Sequence, residues 1–230
     1  MGMKIAVIVT RIVFSVCLPI FLFTASVAVA FNAPWLYSHG FDKYNISVVT
    51  DISRPELNRA ARALIGYWNS GEEYISVTVE KDGQPFMLFN EREVIHLKDV
   101  KALVRLDYVA LVVTGLYIAA YAALAFWYRR PAYRRDLAVA GFGGGVLGLG
   151  IMVVVGIVVL VDFDGFWRQF HLFSFANDLW LLDPSRDYLI MMFPEGFWLD
   201  SVLLVAGIMA FFSLLSVVLS WFCLKKRTNI

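Results

Sequence analysis

The chain contains three histidines, His39, His96 and His171, and their side chains are the groups best suited to proton transfer near neutral pH. An imidazole with its ordinary pKa of about 6.5 lets one ring accept a proton while another donates one. His96 and His171 each lie no more than 12 residues from a predicted membrane boundary. His39 stands between Ser38 and Gly40 in a polar segment and is interpreted as an exposed residue. His96 and His171 are therefore the candidate acid–base pair.

Four long apolar runs must position these histidines. The runs cover residues 12–31, 108–127, 137–161 and 199–223, and each is close to the roughly 20 residues needed to cross a bilayer core. The chain is 60% hydrophobic, with a mean hydropathy of +0.68. This composition predicts an α-helical membrane protein with four transmembrane helices and excludes a soluble domain. The net charge of +1 gives no indication of nucleic-acid binding.

Basic residues predict how the chain is oriented in a cell membrane. They precede the first run, separate the second from the third, and follow the fourth: Lys4, Arg11, Arg129, Arg130, Arg134, Arg135, Lys225, Lys226 and Arg227. The positive-inside rule then places both termini in the cytoplasm and all three histidines outside. The predicted order is a cytoplasmic N-terminus and first span (1–31), an extracellular cap (32–107), a second span (108–127), a basic cytoplasmic loop (128–136), a third span (137–161), an aromatic-rich extracellular loop (162–198), a fourth span (199–223) and a cytoplasmic tail (224–230).

The first run has an alternative interpretation as a cleaved signal peptide, with Ala28, Val29 and Ala30 as the cleavage site. Its apolar stretch is longer than a usual signal core, which favours a retained helix. The third run is rich in glycine, and small residues on a membrane helix let a neighbouring helix approach closely.

The cap is predicted to be a small mixed α/β unit. Ser53 and Glu56 have capping-box spacing at the start of a helix that would stop at Gly71. Residues 74–80 alternate as in a strand, Asp82 and Gly83 form a hairpin turn, and residues 85–89 return. A second helix is predicted to start at residues 90–93 and to run through His96 and Asp99 towards the second span. Asp99 would share a helix face with His96 and could orient its ring.

The segment 162–198 interleaves aromatic and polar residues. Seven aromatic side chains lie between Phe163 and Trp180. An interfacial aromatic belt would explain the rings, but it does not explain the polar residues among them. Substrate-binding or orienting roles are predicted for Asp99, Phe170, Phe173, Asn177, Asp178, Trp180, Asp183 and Glu195.

Other catalytic classes are disfavoured. The three histidines lack the paired helical spacing of a zinc site, and both cysteines, Cys17 and Cys223, fall inside apolar runs. No metal site is therefore predicted. There is no Gly-x-Ser-x-Gly motif, which argues against a serine hydrolase. A transporter or channel is disfavoured because no charged residue lies well inside runs two, three or four.

Two sequence blocks carry a family resemblance. The first, at 93–101, reads EVIHLKDVK; the second, at 171–184, reads HLFSFANDLWLLDP and is followed by Asp187, Leu189, Ile190, Phe193, Pro194 and Glu195. Together they resemble the bacterial lipoprotein intramolecular transacylase (Lit) family, over nearly the whole chain. In that family two histidines at the interface between cap and membrane catalyse the reaction, and the matching positions are His96 and His171.

The resemblance implies a reaction and a substrate. The enzyme would move the sn-2 acyl chain of a diacylglyceryl-modified lipoprotein onto the α-amine of its N-terminal cysteine, giving the lyso-form. The expected partners are the diacylated lipoprotein and membrane lipid, with no nucleic acid, no cofactor and no metal; the oligomeric state is left open. The alternative is a non-catalytic membrane accessory protein that binds lipid or a partner through the aromatic segment.

Overall fold

The computed structural model describes residues 2–127 and 131–225. The predicted basic residues Arg129, Arg130, Lys226 and Arg227 lie outside the described residues. Within these ranges the chain forms, in order, α1 (Gly2–Phe31), α2 (Pro34–Lys43), α3 (Ile46–Thr50), α4 (Arg54–Trp68), β1 (Thr78–Lys81), β2 (Gln84–Met87), α5 (Glu91–Trp127), α6 (Pro131–Val161), α7 (Phe163–Ser174), α8 (Tyr188–Met192) and α9 (Glu195–Lys225).

Four of the described helices are long and apolar enough to cross a membrane, and they contain the four predicted runs. The qualifying stretches are Ile5–Phe31, Glu91–Trp127, Ala132–Val161 and Glu195–Lys225. The predicted fold class, a four-helix membrane protein with a small mixed α/β part, is thereby confirmed. Helix α5 has 37 residues and is about 55 Å long at 1.5 Å per residue, which exceeds a bilayer core. Its apolar second half coincides with the predicted span 108–127.

The chain divides into two compact units. The first comprises Met1–Val27, Asp107–Val158 and Leu203–Ile230, and its helices pack through glycines of α6. A Cβ added at Gly145 would lie 2.7 Å from the backbone oxygen of Ser213, and one at Gly144 would lie 3.0 Å from the backbone oxygen of Ser15. Such distances leave no room for a side chain, so α6 contacts α9 and α1 nearly backbone to backbone. The predicted packing role of these glycines is confirmed.

Polar contacts supplement this packing within the first unit. The Ser216 hydroxyl donates to the Gly141 carbonyl at 2.9 Å, and the Ser15 hydroxyl donates to the Ala140 carbonyl at 3.0 Å. Arg11 of α1 forms an ion pair with Asp136 of α6. Each of these contacts joins α6 to another long helix, so hydrogen bonds and close packing act on the same surfaces.

The second unit comprises Ala28–Leu106 and Val159–Val202, and it contains the hairpin. Strands β1 and β2 pair antiparallel, with Thr78 opposite Met87 and Lys81 opposite Gln84. The turn residues Asp82 and Gly83 have φ of 53° and 72°, as a two-residue hairpin with right-handed twist requires. The predicted turn is confirmed, whereas the strands are shorter than the predicted 74–80 and 85–89.

The predicted capping box at Ser53 is wrong. Ser53 is the N-cap of α4 but makes no side-chain capping bond. The Glu56 carboxylate instead accepts from the backbone N–H of Glu80 at 2.7 Å and pairs with Arg59. Tertiary contact with the hairpin therefore replaces the local cap. Helix α4 also ends at Trp68, before the predicted stop at Gly71.

A capping box is present at the start of α5. The Asn90 side chain accepts from the backbone N–H of Glu93 at 3.1 Å, and the Glu93 carboxylate accepts from the backbone N–H of Asn90 at 2.8 Å. This satisfies two amides at the start of the helix that would otherwise have no partner. The other Glu93 oxygen accepts from the backbone N–H of Leu189 at 2.6 Å. The start of α5 is thus fixed to α8, and His96 lies one turn further along.

The segment predicted as an extracellular loop, 162–198, contains regular structure. Helix α7 begins after Asp162, whose carboxylate accepts from the backbone N–H of Gly165 at 2.9 Å. Helix α8 follows Asp187, whose carboxylate accepts from the Asn90 side chain at 2.9 Å and from the backbone N–H of Asp183 at 2.7 Å. These short helices give His171 and the surrounding aromatic rings fixed positions.

Candidate active site

The two candidate histidines meet inside the second unit. His96, on α5, is 6% exposed, and His171, on α7, is 9% exposed. Their ring centroids are 6.2 Å apart, with 28° between the ring planes. This separation brings both imidazoles within reach of one small reacting group. His39 is exposed on α2, as expected.

The backbone of α7 determines which ring nitrogen of His171 carries the hydrogen. Its Nδ1 lies 2.8 Å from the backbone carbonyl oxygen of Trp167, one turn earlier on α7. A carbonyl oxygen only accepts hydrogen bonds, so Nδ1 must carry the hydrogen. In the neutral ring the other nitrogen, Nε2, then has a free lone pair. Burial lowers the pKa of His171 below the ordinary 6.5 because it disfavours the charged ring. His171 is therefore prepared to act as a base.

Aromatic rings hold His171 in place. The Trp180 ring lies 4.9 Å from the imidazole centroid, and the Trp167 ring meets it edge-on at 5.0 Å. Trp167 in turn stacks on Trp198 at 4.9 Å. These neighbouring rings restrict the rotamer of His171.

His96 has a different environment. The Phe175 ring packs edge-on against its imidazole, with 5.0 Å between centroids. Its Nδ1 is buried and has no hydrogen-bond partner among the described residues. The sequence predicts that Asp99 orients this ring. In the structure the Asp99 carboxylate accepts a hydrogen bond from the Asn177 side chain at 2.9 Å instead. Asp99 therefore anchors the segment that follows α7.

Both imidazoles line a cavity of about 410 Å³. Most of its wall is apolar, and the charged side chains on it, Asp164, Arg168 and Glu195, belong to exposed residues. The remaining lining residues are Ala30, Phe31, Leu36, Tyr37, Leu64, Trp68, Leu97, Val100, Trp167, Trp180, Leu181, Leu182, Leu189, Ile190, Phe193, Phe197, Trp198 and Ser201. Such a cavity suits an amphipathic ligand with a long apolar part.

The predicted substrate-orienting residues divide into two groups. Trp180 and Glu195 line the cavity, and Phe170 packs edge-on against the His171 ring at 5.4 Å. Phe173 is 90% exposed and does not line it. The helical period explains this difference, because Phe173 follows His171 by two residues and so lies on another face of α7.

Three further predicted residues stabilise the segment itself. The Asn177 side chain contacts Asp99, and the backbone carbonyl of Asp178 accepts from Arg92. The Asp183 carboxylate accepts from the backbone N–H and hydroxyl of Ser185 at 2.9 and 2.7 Å. None of the three lines the cavity. Their polar groups fix turns after α7, and their predicted substrate-binding or orienting role stays a prediction.

Some residues of the site were not among the predicted ones. Trp167 could have been found, because it precedes His171 by four residues and shares its helix face. Trp68, Phe175 and Glu93 carry no comparable local signal, since their contacts with the site come from the tertiary fold. Among the described residues, no group of three or more His, Cys, Asp or Glu side chains is arranged to hold a metal ion.

Comparison with known proteins gives a family match and a fold match. The model of the family described as lipoprotein intramolecular transacylase Lit matches residues 12–198. The fold resembles that of the membrane-integral lipoprotein intramolecular transacylase Lit from Bacillus cereus, with a TM-score of 0.81 and 18% identity over 99% of this chain and 100% of that one.

Two further Bacillus cereus Lit structures, in which one histidine is replaced by arginine or by alanine, match with a TM-score of 0.77 and 18% identity. The match to the arginine variant covers 99% of this chain and 96% of that one. The match to the alanine variant covers 100% of this chain and 98% of that one. At this identity the likeness shows a shared fold. No curated protein matches the chain.

Proposed function

The chain belongs to the lipoprotein intramolecular transacylase family and is a multi-pass membrane acyltransferase, and from this premise we propose that it acts by two-histidine catalysis on a diacylglyceryl-modified lipoprotein. The sn-2 acyl chain moves from the glyceryl oxygen to the α-amine of the N-terminal cysteine. The product is the lyso-form lipoprotein. The observation that carries this proposal is the pair of buried imidazoles, 6.2 Å apart, in a mostly apolar cavity.

His171 acts as the base. The attacking α-amine has a reference pKa of about 8 and must be neutral to attack the ester carbonyl. As the N–C bond forms, the amine nitrogen loses a proton to Nε2 of His171, which is the ring nitrogen left free by the Nδ1 contact with Trp167. When the C–O bond breaks, the same proton passes to the glyceryl oxygen. Atoms balance, because one ester and one amine become one amide and one alcohol.

His96 stabilises the departing oxygen. Its burial favours the neutral ring, which carries one N–H and can donate a hydrogen bond to the negative charge that develops on the glyceryl oxygen. A hydrogen-bond donor held in a fixed position in a mostly apolar cavity is more effective than one in water, since less solvent must reorganise during the reaction. The two histidines thus divide the work between proton transfer and charge stabilisation.

The cavity orients the substrate by polarity. The apolar wall accommodates acyl chains, while the exposed carboxylates of Asp164 and Glu195 attract the substrate ammonium group before it is deprotonated. Both reactants belong to one molecule, so the main catalytic task is to hold amine and ester together. Rigid aromatic walls, among them Trp167 and Trp180, serve that task.

Replacement of the histidines tests this function. His171→Asn and His96→Asn should each reduce lyso-form production by about 10²–10⁴-fold, the usual contribution of a positioned acid–base group. The double variant should be little worse, because groups that act as a unit are not additive. His39→Ala is the control and should be near neutral. The readout is mass spectrometry of a lipoprotein N-terminal peptide from cells that contain equal amounts of each folded variant.

An isotope label tests the origin of the acyl chain. A lipopeptide with a labelled sn-2 acyl chain should yield a labelled N-terminal amide, whereas label at sn-1 should remain on the glyceryl group.

Full lyso-form production by His171→Asn would refute the mechanism, and amide labelled from sn-1 would refute the regiochemistry.

A further inference from the structure

Trp68 is a rigid part of the cavity wall. It is the last residue of α4 and is 5% exposed. The Phe31 ring meets it edge-on, with 5.9 Å between centroids and 77° between planes, and the Tyr67 ring lies at 5.3 Å. Because the indole is held on more than one side, its N–H has a fixed direction.

The indole nitrogen lacks a hydrogen-bond partner within the described part of the chain. Trp68 Nε1 is buried and has no hydrogen bond to any described residue, although the ring lines the same cavity as His96. Buried polar groups are rarely left unpaired, and a buried tryptophan N–H usually finds an acceptor. Indole N–H only donates and does not titrate in the physiological range, so the missing partner must be an acceptor.

The composition of the cavity wall indicates which acceptor fits. Phe31, Leu64, Leu97 and Val100 line the same cavity and are apolar. A charged group or a donor would be poorly solvated beside them, whereas an ester carbonyl has an acceptor oxygen and no donor. The ester that joins the acyl chain to the glyceryl group is such an acceptor.

We infer that the Trp68 indole N–H donates a hydrogen bond to the carbonyl oxygen of the acyl ester that is transferred. This inference rests on the proposed function and deepens it. Negative charge accumulates on that oxygen when the amine adds, so the bond strengthens in the transition state. Trp68 acts on the carbonyl oxygen, while His171 and His96 act on the amine and the departing glyceryl oxygen.

The test removes the N–H and keeps the shape of the ring. Trp68 is replaced by 3-benzothienylalanine, in which sulfur stands in place of N–H, and separately by Phe. Both replacements should lower kcat by about 10²–10³-fold, as the loss of one such donor does, with much less change in KM. Trp35→Phe is the matched control, because Trp35 is an exposed tryptophan of α2 outside the cavity. Unchanged kcat in the benzothienylalanine variant would overturn the inference.

A spectroscopic measurement separates this inference from the proposed function. The His171→Asn protein is mixed with a lipopeptide that carries ¹³C at the sn-2 ester carbonyl, and its infrared carbonyl stretch is recorded. The hydrogen bond should lower the frequency, and the additional replacement Trp68→Phe should restore it. A bound ester whose frequency does not respond to Trp68 would refute the contact, whatever the role of His171. A shift that depends on Trp68 while His171→Asn still turns over would refute only the proposed mechanism.

Discussion

His171 takes its tautomer from the backbone of its own helix. The Trp167 carbonyl lies four residues earlier, where an α-helix would otherwise use it only for the backbone ladder, and the imidazole Nδ1 approaches it at 2.8 Å. No acidic side chain is needed to orient the ring. A local contact of this kind costs little entropy to maintain, because α7 already fixes both partners.

The pH dependence of kcat/KM should show two groups. Burial lowers the pKa of His171 below 6.5, so the ring stays neutral at pH values where an exposed histidine would already be protonated. As pH falls, the rate should first decline with a slope of about one below the substrate amine pKa of about 8. It should steepen to a slope of about two only below the pKa of His171.

The measurement is the initial rate on a synthetic lipopeptide between about pH 5 and about pH 9. This range spans the ordinary pKa values of histidine and of the substrate amine. His171→Asn is the control and should lose the second, steeper limb. A steep limb that begins above pH 6.5 would contradict the effect assigned to burial.

Trp180 and Phe173 should respond differently to truncation. Trp180 lines the cavity 4.9 Å from the His171 ring, whereas Phe173 is 90% exposed. Trp180→Ala should reduce lyso-form production by at least about tenfold, since a slightly misplaced reacting group can cost about 10²-fold. Phe173→Ala should leave it nearly unchanged. Mass spectrometry of the lipoprotein N-terminal peptide compares the two, and equal losses would argue against the present assignment of the cavity wall.

At the level of single residues, the sequence predicted which side chains have distinctive chemistry but not which hydrogen-bond partners they have. His96, His171 and Trp180 lie together at the cavity, as their types and positions indicated. Asp99 shares a helix with His96, yet its carboxylate contacts Asn177 instead. A three-residue spacing restricts which side chains lie on the same face, but tertiary contacts decide which of them are bonded.

Among the elements, α5 is anchored near the site by one buried side chain at its start. Glu93 is fully buried and accepts hydrogen bonds from two backbone amides, one at Asn90 and one at Leu189. One side chain thus caps the helix that carries His96 and ties it to α8. Errors of about 1 Å in catalytic geometry are costly, so this anchor makes the position of His96 reproducible.

Close packing of α6 should be sensitive to a single methyl group. Gly145→Ala would place Cβ 2.7 Å from the Ser213 backbone oxygen, which forces the backbone to shift and should destabilise the protein by about 1–3 kcal/mol. Gly150→Ala is the matched control, because no atom lies within 4 Å of the added Cβ. Thermal unfolding in detergent should show a lower Tm for the first variant only. An equal Tm for both would exclude the close approach.

Hydropathy predicted the long helices well because a run of about 20 apolar residues has few alternatives in a membrane. The same reasoning failed for 162–198, where α7 and α8 are too short and too mixed in composition to stand out from a loop. The supposed cap at Ser53 failed for a related reason, since Glu56 bonds to Glu80 of the hairpin instead of to its own helix start. Short elements depend on contacts that a local pattern does not contain.

For the whole molecule, the orientation in the membrane follows from charge. Arg134 and Arg135 precede the long apolar stretch of α6 and Lys225 ends α9, whereas no such basic cluster flanks the hairpin turn at Asp82 in the sequence. The positive-inside rule therefore predicts that the basic residues face the cytoplasm and that the turn, His96 and His171 face outward. A lipoprotein that has crossed the membrane would meet the cavity on that side.

Cysteine labelling of intact cells measures this orientation. Cys17 and Cys223 are first replaced by serine, and a single cysteine is then introduced as Asp82→Cys or Arg134→Cys. A membrane-impermeant maleimide should label the first variant, because the hairpin turn faces outward, and should spare the second until the cells are lysed. Since acyl transfer needs cavity and lipoprotein on one side, labelling of Arg134→Cys but not Asp82→Cys in intact cells would place the histidine pair in the cytoplasm. The proposed substrate would then be out of reach.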